Sequence, residues 1–488
     1  MSRRHFIQAT TLATGAVAFG VPTLLRAANL NSKLNIAAVG VMGKGQSDTD
    51  ACSGENIVAL CDVDASRCDK QREKYPGAKF YQDYRQMFAE MGKGIDAVTV
   101  STPDHMHAII ATLAMRAGKH VYCQKPLVQT IYEARYIREL ARKTGVVTQM
   151  GNQGSAADGL RRAVEVIQAG IIGNVREVHI WTNRPVWPQG LERPAGSDPV
   201  PEKLDWDIWL GAAPFRPYKK GAYAPWNWRG WQDFGTGALG DMACHTVNMP
   251  FRALNLGYPT EIEGTALGAM NHETYPLGSK IRFEFPQRKT KIAAAHKTFF
   301  HRHDTLVQTP CTFTWYDGGS PDASAPNGHD FTNKPPKELL TDIEALQGEV
   351  PNSACLLIGD GGKIFSPDDY GEQFFIKLND DKKFVHYKKH PAVAEDKIAV
   401  TLPRNKFTGD NDKRHHLEWL DAIKQGKPKL CYSRFDITAK LTEIMLLGCV
   451  SLRVGKKLEW DGPNMSATNC PEAAPYIKRE NRAGWKLT

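Results

Sequence analysis

The chain has 488 residues, 42% of them hydrophobic, ten cysteines and a formal charge of +9. That length gives room for about two or three domains with cores of their own. The basic residues are dispersed, and pairs such as Lys219-Lys220 and Lys388-Lys389 are too short for a nucleic-acid footprint, so no nucleic-acid partner is expected. Cys52, Cys61 and Cys68 lie far from Cys431 and Cys470, with no Cys-x-x-Cys spacing, which argues against a disulfide framework or a zinc site and for mostly free thiols.

Ser2-Arg3-Arg4-His5-Phe6-Ile7 precedes an apolar stretch from Ala9 to Leu25. Paired arginines ahead of a modest apolar run are similar to a twin-arginine export signal, a route that carries folded proteins. Residues 1–28 are read as that signal. The Tat translocase is then a transient partner, and the location is periplasmic or otherwise extracytoplasmic, with membrane anchoring if the segment is not cleaved. Without residues 1–28, which carry Arg3, Arg4 and Arg26 and no acid, the balance is +6. Beyond them no apolar run is long enough to span a bilayer.

Short apolar strands are expected at residues 35–39, 57–61, 97–100, 120–123 and 146–150, with helical patterns such as 109–116 and 132–143 between them. Strands alternating with helices predict a parallel sheet covered on both faces, with ligands beyond the C-terminal strand ends. From about residue 160 the pattern changes. A helix at 161–169 and a strand at 175–181 lead into an aromatic, Pro- and Gly-rich region, 183–235, read as a long ordered loop. Strands near 280–285, 312–316 and 354–358, then helices at 414–425 and 437–453, predict a second domain on a largely antiparallel sheet with late helices packing back. The fold class is therefore an α/β Rossmann domain (33–155) followed by an α+β domain with a large, mostly antiparallel sheet (156–488).

Gly40, Met42, Gly43 and Gly45 form the turn after the first strand. Glycines there allow close approach of backbone N–H groups to a pyrophosphate at a helix N-terminus. Asp62 ends the second strand twenty-two residues after Gly40, where a carboxylate accepts both adenosine-ribose hydroxyls and repels a 2′-phosphate. NAD is favoured over NADP on that ground, although Arg67 could neutralise a phosphate.

The third strand ends Ser101-Thr102-Pro103-Asp104-His105-Met106-His107 and the fourth Gln124-Lys125-Pro126. With Gly237-Ala238-Leu239-Gly240-Asp241-Met242-Ala243-Cys244-His245 further on, the chain resembles the Gfo/Idh/MocA oxidoreductase family, in its exported, sugar-active branch related to glucose–fructose oxidoreductase and inositol dehydrogenase. The resemblance implies that Gly40 to Gly45 hold the pyrophosphate and Asp62 the ribose. It places Ser101, Thr102, Pro103, His107, Gln124 and Lys125 at the cofactor, and Lys125 also beside the reacting carbon. It makes Asp241 the substrate-binding acid and His245 the proton-transfer histidine. Gln124 replaces the family glutamate and Met42 the central glycine. Asn152 and Gln153, after the fifth strand, are further candidates for contact with cofactor or substrate. Trp228 and Arg229 are the substrate candidates among the aromatics of the loop, most of which are expected to form a small hydrophobic core.

Oxidation of a secondary alcohol needs a base for the hydroxyl proton and a donor for the developing alkoxide. His245 suits the base, while Lys125 either donates to the substrate oxygen or takes the proton itself, and Asp241, four residues before His245, shares its face if the segment is helical. The expected function is an exported nicotinamide-dependent oxidoreductase with tightly bound cofactor, acting on a secondary hydroxyl of a sugar, glycoside or cyclitol. A redox-neutral glycosidase or lyase passing through a 3-keto sugar, with Tyr223 or His107 as second base, is the alternative, and a non-catalytic sugar-binding homologue the third. Neither His105/His107, His301/His303 nor His415-His416 finds a third ligand at familiar spacing, so no metal is expected. A homo-oligomer, dimer or tetramer, is expected through the second sheet.

Overall fold

Six short strands build the first sheet in a computed structural model that describes residues 32–291, 305–325 and 327–487. The proposed export segment, His301 and His303 lie outside the described residues. The strands are β1 (Asn35–Val39), β2 (Asn56–Cys61), β3 (Lys79–Tyr81), β4 (Ala97–Val100), β5 (His120–Cys123) and β6 (Thr148–Met150). All pair in parallel, in the order β3-β2-β1-β4-β5-β6. The connecting helices are α1 (Lys44–Ala51), α2 (Asp69–Lys74), α3 (Tyr84–Met91), α4 (Asp104–Arg116) and α5 (Ile131–Thr144). Local chemistry sets their ends. Thr130 and Glu133 close a capping box at the start of α5, and Gly145 ends it in the left-handed region.

Two sequence expectations need correcting. β3 has no counterpart among them, because three residues carry too little pattern. Helix α4 starts at Asp104 rather than Ile109, so His105 and His107 stand on a helix and not on an extended segment.

The second domain contributes α6 (Asp158–Gln168), β7 (Val175–Thr182), α7 (Trp206–Leu210), α8 (Gly237–Thr246), α9 (Asn248–Ala253), β8 (Glu261–Leu267) and β9 (Gly278–Phe285). A separate two-stranded ladder, β10 (Arg288–Lys291) and β11 (Thr305–Gln308), follows. Then come β12 (Cys311–Asp317), α10 (Lys337–Gln347), β13 (Ala354–Gly359), β14 (Gly362–Ser366), β15 (Phe375–Leu378), β16 (Val385–His386), α11 (Asn411–Lys424), α12 (Phe435–Val454), β17 (Leu458–Asp461) and β18 (Ser466–Ala467). Ten strands form one sheet in the order β16-β15-β14-β13-β7-β12-β9-β8-β17-β18. Its neighbours are antiparallel except for β7 and β12, which run parallel.

Side-chain alternation gives this sheet two faces. Val178, Ile180, Phe313, Trp315 and Leu357 point to the main core, which α8 and α12 share. Trp181, Tyr316, Leu356 and Phe365 point the other way and are covered by Leu340 and Ile343 of α10. Helix α12 also packs on α5 and so joins the two domains. Helix α11 does so again. Its Trp419, Leu420 and Ile423 lie on Ile36, Ala97, Tyr122 and Val147, covering the face of the parallel sheet opposite α4 and α5. A parallel sheet needs both faces dry, and here the C-terminal part of the chain supplies the second layer.

The aromatic loop 183–235 is ordered around Trp206, Trp209, Tyr218, Tyr223, Trp231 and Phe234. All ten cysteines are buried free thiols.

Candidate active site

Beyond the C-terminal ends of β1, β2, β4 and β5 lies a cavity of about 430 Å³ between the two domains. At one end is the turn from β1 to α1. A Cβ on Gly45 would fall 1.8 Å from the Gly40 carbonyl oxygen, so only glycine lets α1 sit this close to the strand. Gly43, at φ 60° and ψ −121°, is the N-cap and offers no side-chain cap, which leaves the α1 N-terminus open toward the cavity. Gly40, Met42 and Gly43 line the cavity, whereas Gly45 stands behind them as a packing residue.

Asp62 lines the same end. Its carboxylate accepts from the backbone N–H groups of Val41 (3.0 Å) and Asp64 (3.1 Å), and burial raises its pKa. Tyr84, Leu204 and Ile208 wall this end, the last two from the second domain. An open helix N-terminus that donates, followed by a fixed acid that accepts, matches the phosphates and ribose hydroxyls of a dinucleotide. Further along, Thr102 Oγ1 and Gln153 Oε1 are buried on the wall without a partner. These residues fit a nicotinamide dinucleotide lying along the strand ends.

At the other end, Lys125 Nζ lies 2.6 Å from Asp241 Oδ1, and Arg229 Nε lies 3.2 Å from the same oxygen. Arg229 also pairs with buried Asp104 (3.2 Å), which accepts a hydrogen bond from Thr236 Oγ1 at the N-cap of α8. Burial opposes ionisation of Asp241, but Arg229, then Lys125, outweigh it and hold the carboxyl well below the usual range. His245 follows one helical turn later on α8, buried, with Nδ1 unpartnered and the ring edge-on to Tyr370 at 5.2 Å. Burial, then the Lys125 charge, push its pKa well below 6.5 despite the pull of Asp241. The imidazole is therefore neutral and able to take a proton.

Several expected site residues take other roles. His107 does not reach the cavity. Its Nδ1 and Nε2 lie 2.8 Å from the carbonyl oxygens of Pro126 and Thr102, so it fixes the two strand ends from behind. Asn152 is fully buried, donating to the Cys244 carbonyl at 3.1 Å, and its neighbour Gln153 takes the place on the wall. Tyr223 is buried in the aromatic cluster. Arg229 lines the cavity with its charge already committed to two carboxylates, and Trp228 packs on its guanidinium at 4.3 Å. Ser101, Thr102, Pro103, Gln124, Lys125, Asp241 and His245 all line the cavity.

The replacement at Gln124 has a partner. Its amide donates to both oxygens of Asp48 at 3.0 and 2.9 Å, and Ser101 Oγ donates to Asp48 at 2.6 Å. Lys44 reaches Asp48 (2.9 Å) and Asp412 of α11 (2.5 Å), with His416 Nε2 3.4 Å from Asp48. Asp48, Asp412 and His416 have metal-ligand types within 4.8 Å of one another, a grouping the sequence did not reveal. The Lys44 ammonium bridges the two carboxylates and supplies the positive charge there.

Arg184 and Tyr370 also line the cavity and were not legible beforehand. Tyr370 comes from the loop between β14 and β15, held by Asp368, which accepts from the Tyr370, Glu372 and Gln373 N–H groups. A Cβ on Gly154 would lie 2.8 Å from Tyr370 Cβ. That packing after β6, together with Gly159 of α6 against the Glu372 carbonyl, brings the loop to the site.

A parallel dinucleotide-type domain, a second sheet domain and a Lys–Asp–His group between them define a two-domain oxidoreductase architecture. Residues 34–152 match the model of the oxidoreductase family's NAD-binding Rossmann fold, and 165–255 that of its C-terminal alpha/beta domain. These two stretches are similar to the two domains of the Gfo/Idh/MocA oxidoreductase family. It is 30% identical over 151 residues to inositol 2-dehydrogenase of Salmonella typhimurium, covering 30% of this chain and 44% of that protein. To D-glucoside 3-dehydrogenase of Escherichia coli it is 28% identical over 165 residues, covering 33% of this chain and 45% of that one. The chain spans less than half the length of these curated relatives. An inositol dehydrogenase homolog from Azotobacter vinelandii, complexed with NADH and myo-inositol, shares the fold at a TM-score of 0.56 and 16% identity, over 88% of this chain and 98% of that one.

Proposed function

We propose that this chain is an NAD-dependent oxidoreductase acting on a secondary hydroxyl of a sugar, glycoside or cyclitol. The observation that carries the reading is the Lys125–Asp241–His245 group, placed in the same cavity as the open α1 N-terminus and Asp62. The relatives named for inositol and glucosides support the substrate class. Gly40 to Gly43 and the α1 N-terminus would hold the pyrophosphate, Asp62 the adenosine ribose, and Thr102, Pro103 and Gln153 the nicotinamide end. When bound, the nicotinamide supplies the two-electron acceptor for the substrate carbon.

The residues around the reacting carbon divide the remaining work. Neutral His245 takes the hydroxyl proton. The imidazolium so formed lies near Asp241, whose charge favours it. Lys125 donates to the substrate oxygen and stabilises negative charge there. Arg229 and Asp104 fix Asp241, so that both of its neighbours are pre-positioned. Net oxidation is preferred over redox-neutral cleavage because Tyr223 and His107, the two side chains offered as second base, stand outside the cavity.

Export through residues 1–28, tight retention of the nucleotide, and assembly as a dimer or tetramer belong to the same proposal. Retention suits export, since a folded passenger carries its cofactor across. The test is absorbance of the purified chain at 260 and 340 nm, before and after a panel of sugars, cyclitols and aryl glycosides, with phenol release followed together. Reduction at 340 nm without phenol is expected. Many turnovers of phenol release with no net reduction would move the chain to redox-neutral cleavage.

A further inference from the structure

The cavity also carries an apolar rim. Of the eleven tryptophans, Trp226 alone is exposed, at 65%, and it lines the cavity. Val186, 37% exposed, and Pro225 line it as well.

This rim belongs to the wall that carries the reacting group. Arg229, which holds Asp241, lies against Trp187, directly after Val186, and Trp228, two residues after Trp226. A Cβ on Gly230 would lie 2.3 Å from the Pro188 carbonyl and 3.3 Å from Trp187, so the segments are packed side by side. Arg184, two residues before Val186, also lines the cavity. The rim segments thus adjoin Arg229, which holds Asp241.

The loop that presents Trp226 is fixed. Asn227 Nδ2 donates to the Gly221 carbonyl at 2.8 Å, and Trp231 Nε1 donates to the Ala222 carbonyl at 2.9 Å. Tyr223 and Trp231 anchor both ends in the aromatic cluster. An indole left in water on a rigid loop, continuous with a binding cavity, is a surface awaiting an apolar partner. Aromatic faces receive the C–H face of a pyranose, and Val186 and Pro225 extend that surface without adding polar groups.

We infer that Trp226, with Val186 and Pro225, forms an outer subsite for a second ring, so that the substrate is a glycoside with a sugar or aryl group beyond the oxidised residue rather than a free monosaccharide or cyclitol. This rests on the oxidoreductase reading above and narrows it.

The test uses the full chain and ligand pairs differing by one ring: methyl glycosides and the matching disaccharides in gluco, galacto and manno configuration. For the configuration that reduces nucleotide, the disaccharide should have a kcat/KM roughly five- to tenfold above the methyl glycoside. Trp226→Ala should bring that ratio close to one, and Trp226→Phe should keep most of it. Iodide quenching of tryptophan fluorescence gives a readout free of turnover. The disaccharide should protect the native protein, the methyl glycoside should protect it much less, and the difference should vanish in Trp226→Ala. Equal kcat/KM for both members of a pair would overturn the subsite. So would protection by NAD alone, or an altered sedimentation coefficient in Trp226→Ala with the selectivity ratio unchanged, which assigns the indole to nucleotide or subunit contact. If no ligand is oxidised, the oxidoreductase reading fails, and the iodide experiment still decides the subsite.

Discussion

Gln124 donates through its side-chain amide to both carboxylate oxygens of Asp48, at 3.0 and 2.9 Å. Asp48 is fully buried, and although burial opposes its ionisation, His416, Lys44 and Ser101 keep it charged. The position directly before Lys125 is thus occupied by the one neutral isostere of glutamate that can donate to a neighbouring carboxylate. The consequence reaches α11, because the same Asp48 shares Lys44 with Asp412.

Gln124→Glu should therefore destabilise the chain. It replaces two hydrogen bonds with a second carboxylate against Asp48, a loss of roughly 2–4 kcal/mol at neutral pH. The sign with pH is fixed. The new carboxyl would have a folded pKa above its unfolded value of about 4.3, so the penalty is small below that pH and grows as pH rises through the raised pKa. Urea denaturation at pH 4.5 and pH 8 checks this. An equal penalty at both pH values would refute it.

How far the sequence reached depended on whether the signal was local. β1, β4 and β5 coincide with the expected strands because each is a short apolar run ending at a polar cluster. Asp241 and His245, singled out by the resemblance, were expected on one face if their segment is helical, and α8 is that helix. What failed was long-range or orientational. His107 has the right address at a strand end, but α4 begins at Asp104 and turns the ring back onto the carbonyls of Thr102 and Pro126. Tyr370 lies far along the chain in a loop, and nothing local marks its packing on Gly154. Asp48 reads as an ordinary helix-surface acid until α11 is known to cover it.

Gly45→Ala tests the nucleotide turn. The added Cβ would meet the Gly40 carbonyl at 1.8 Å, and a backbone atom cannot yield as a side chain can. Helix α1 must move away from β1, carrying its open N-terminus with it. NAD affinity should fall by about tenfold or more, with a stability loss of roughly 1–3 kcal/mol. Calorimetric titration with NAD and a thermal melt measure the two. Unchanged affinity would remove the α1 N-terminus from the binding scheme.

Acid stability should be governed by buried neutral histidines. Burial lowers His120 to about 4 and His105 to about 3, and also lowers His415. The unfolded chain binds these protons near pH 6.5 and the folded chain does not, so stability is lost as pH falls from about 6.5 toward the folded values. Asp317 acts in the opposite direction. Burial raises it to about 7 even though Trp315 Nε1 (2.7 Å) and Ser279 Oγ (2.9 Å) donate to it. The unfolded carboxyl ionises first, so its contribution is lost as pH rises from about 3.8 through 7. Asp317→Asn keeps an acceptor for both donors and should gain stability above pH 7 while changing little at pH 4. Melting temperatures across pH 4 to 9 for both proteins separate these effects.

The acid limb of activity carries the sharpest test of the Lys125–Asp241–His245 group. Two charges act on His245 with opposite sign, Lys125 lowering its pKa and Asp241 raising it. Lys125→Met and Asp241→Asn should both slow turnover, the first by roughly 10²–10⁴-fold because the donor to the substrate oxygen is gone. Their residual pH profiles should nevertheless move apart. Without the Lys125 cation the limb for protonation of His245 shifts to higher pH. Without the Asp241 carboxylate it shifts to lower pH, because the imidazolium loses its counter-charge. The measurement is kcat/KM against pH for both variants beside the native chain, with NAD binding checked so that lost affinity is not mistaken for lost chemistry. Limbs that move together, or stay in place while rates fall, would show that His245 is not the group that takes the proton.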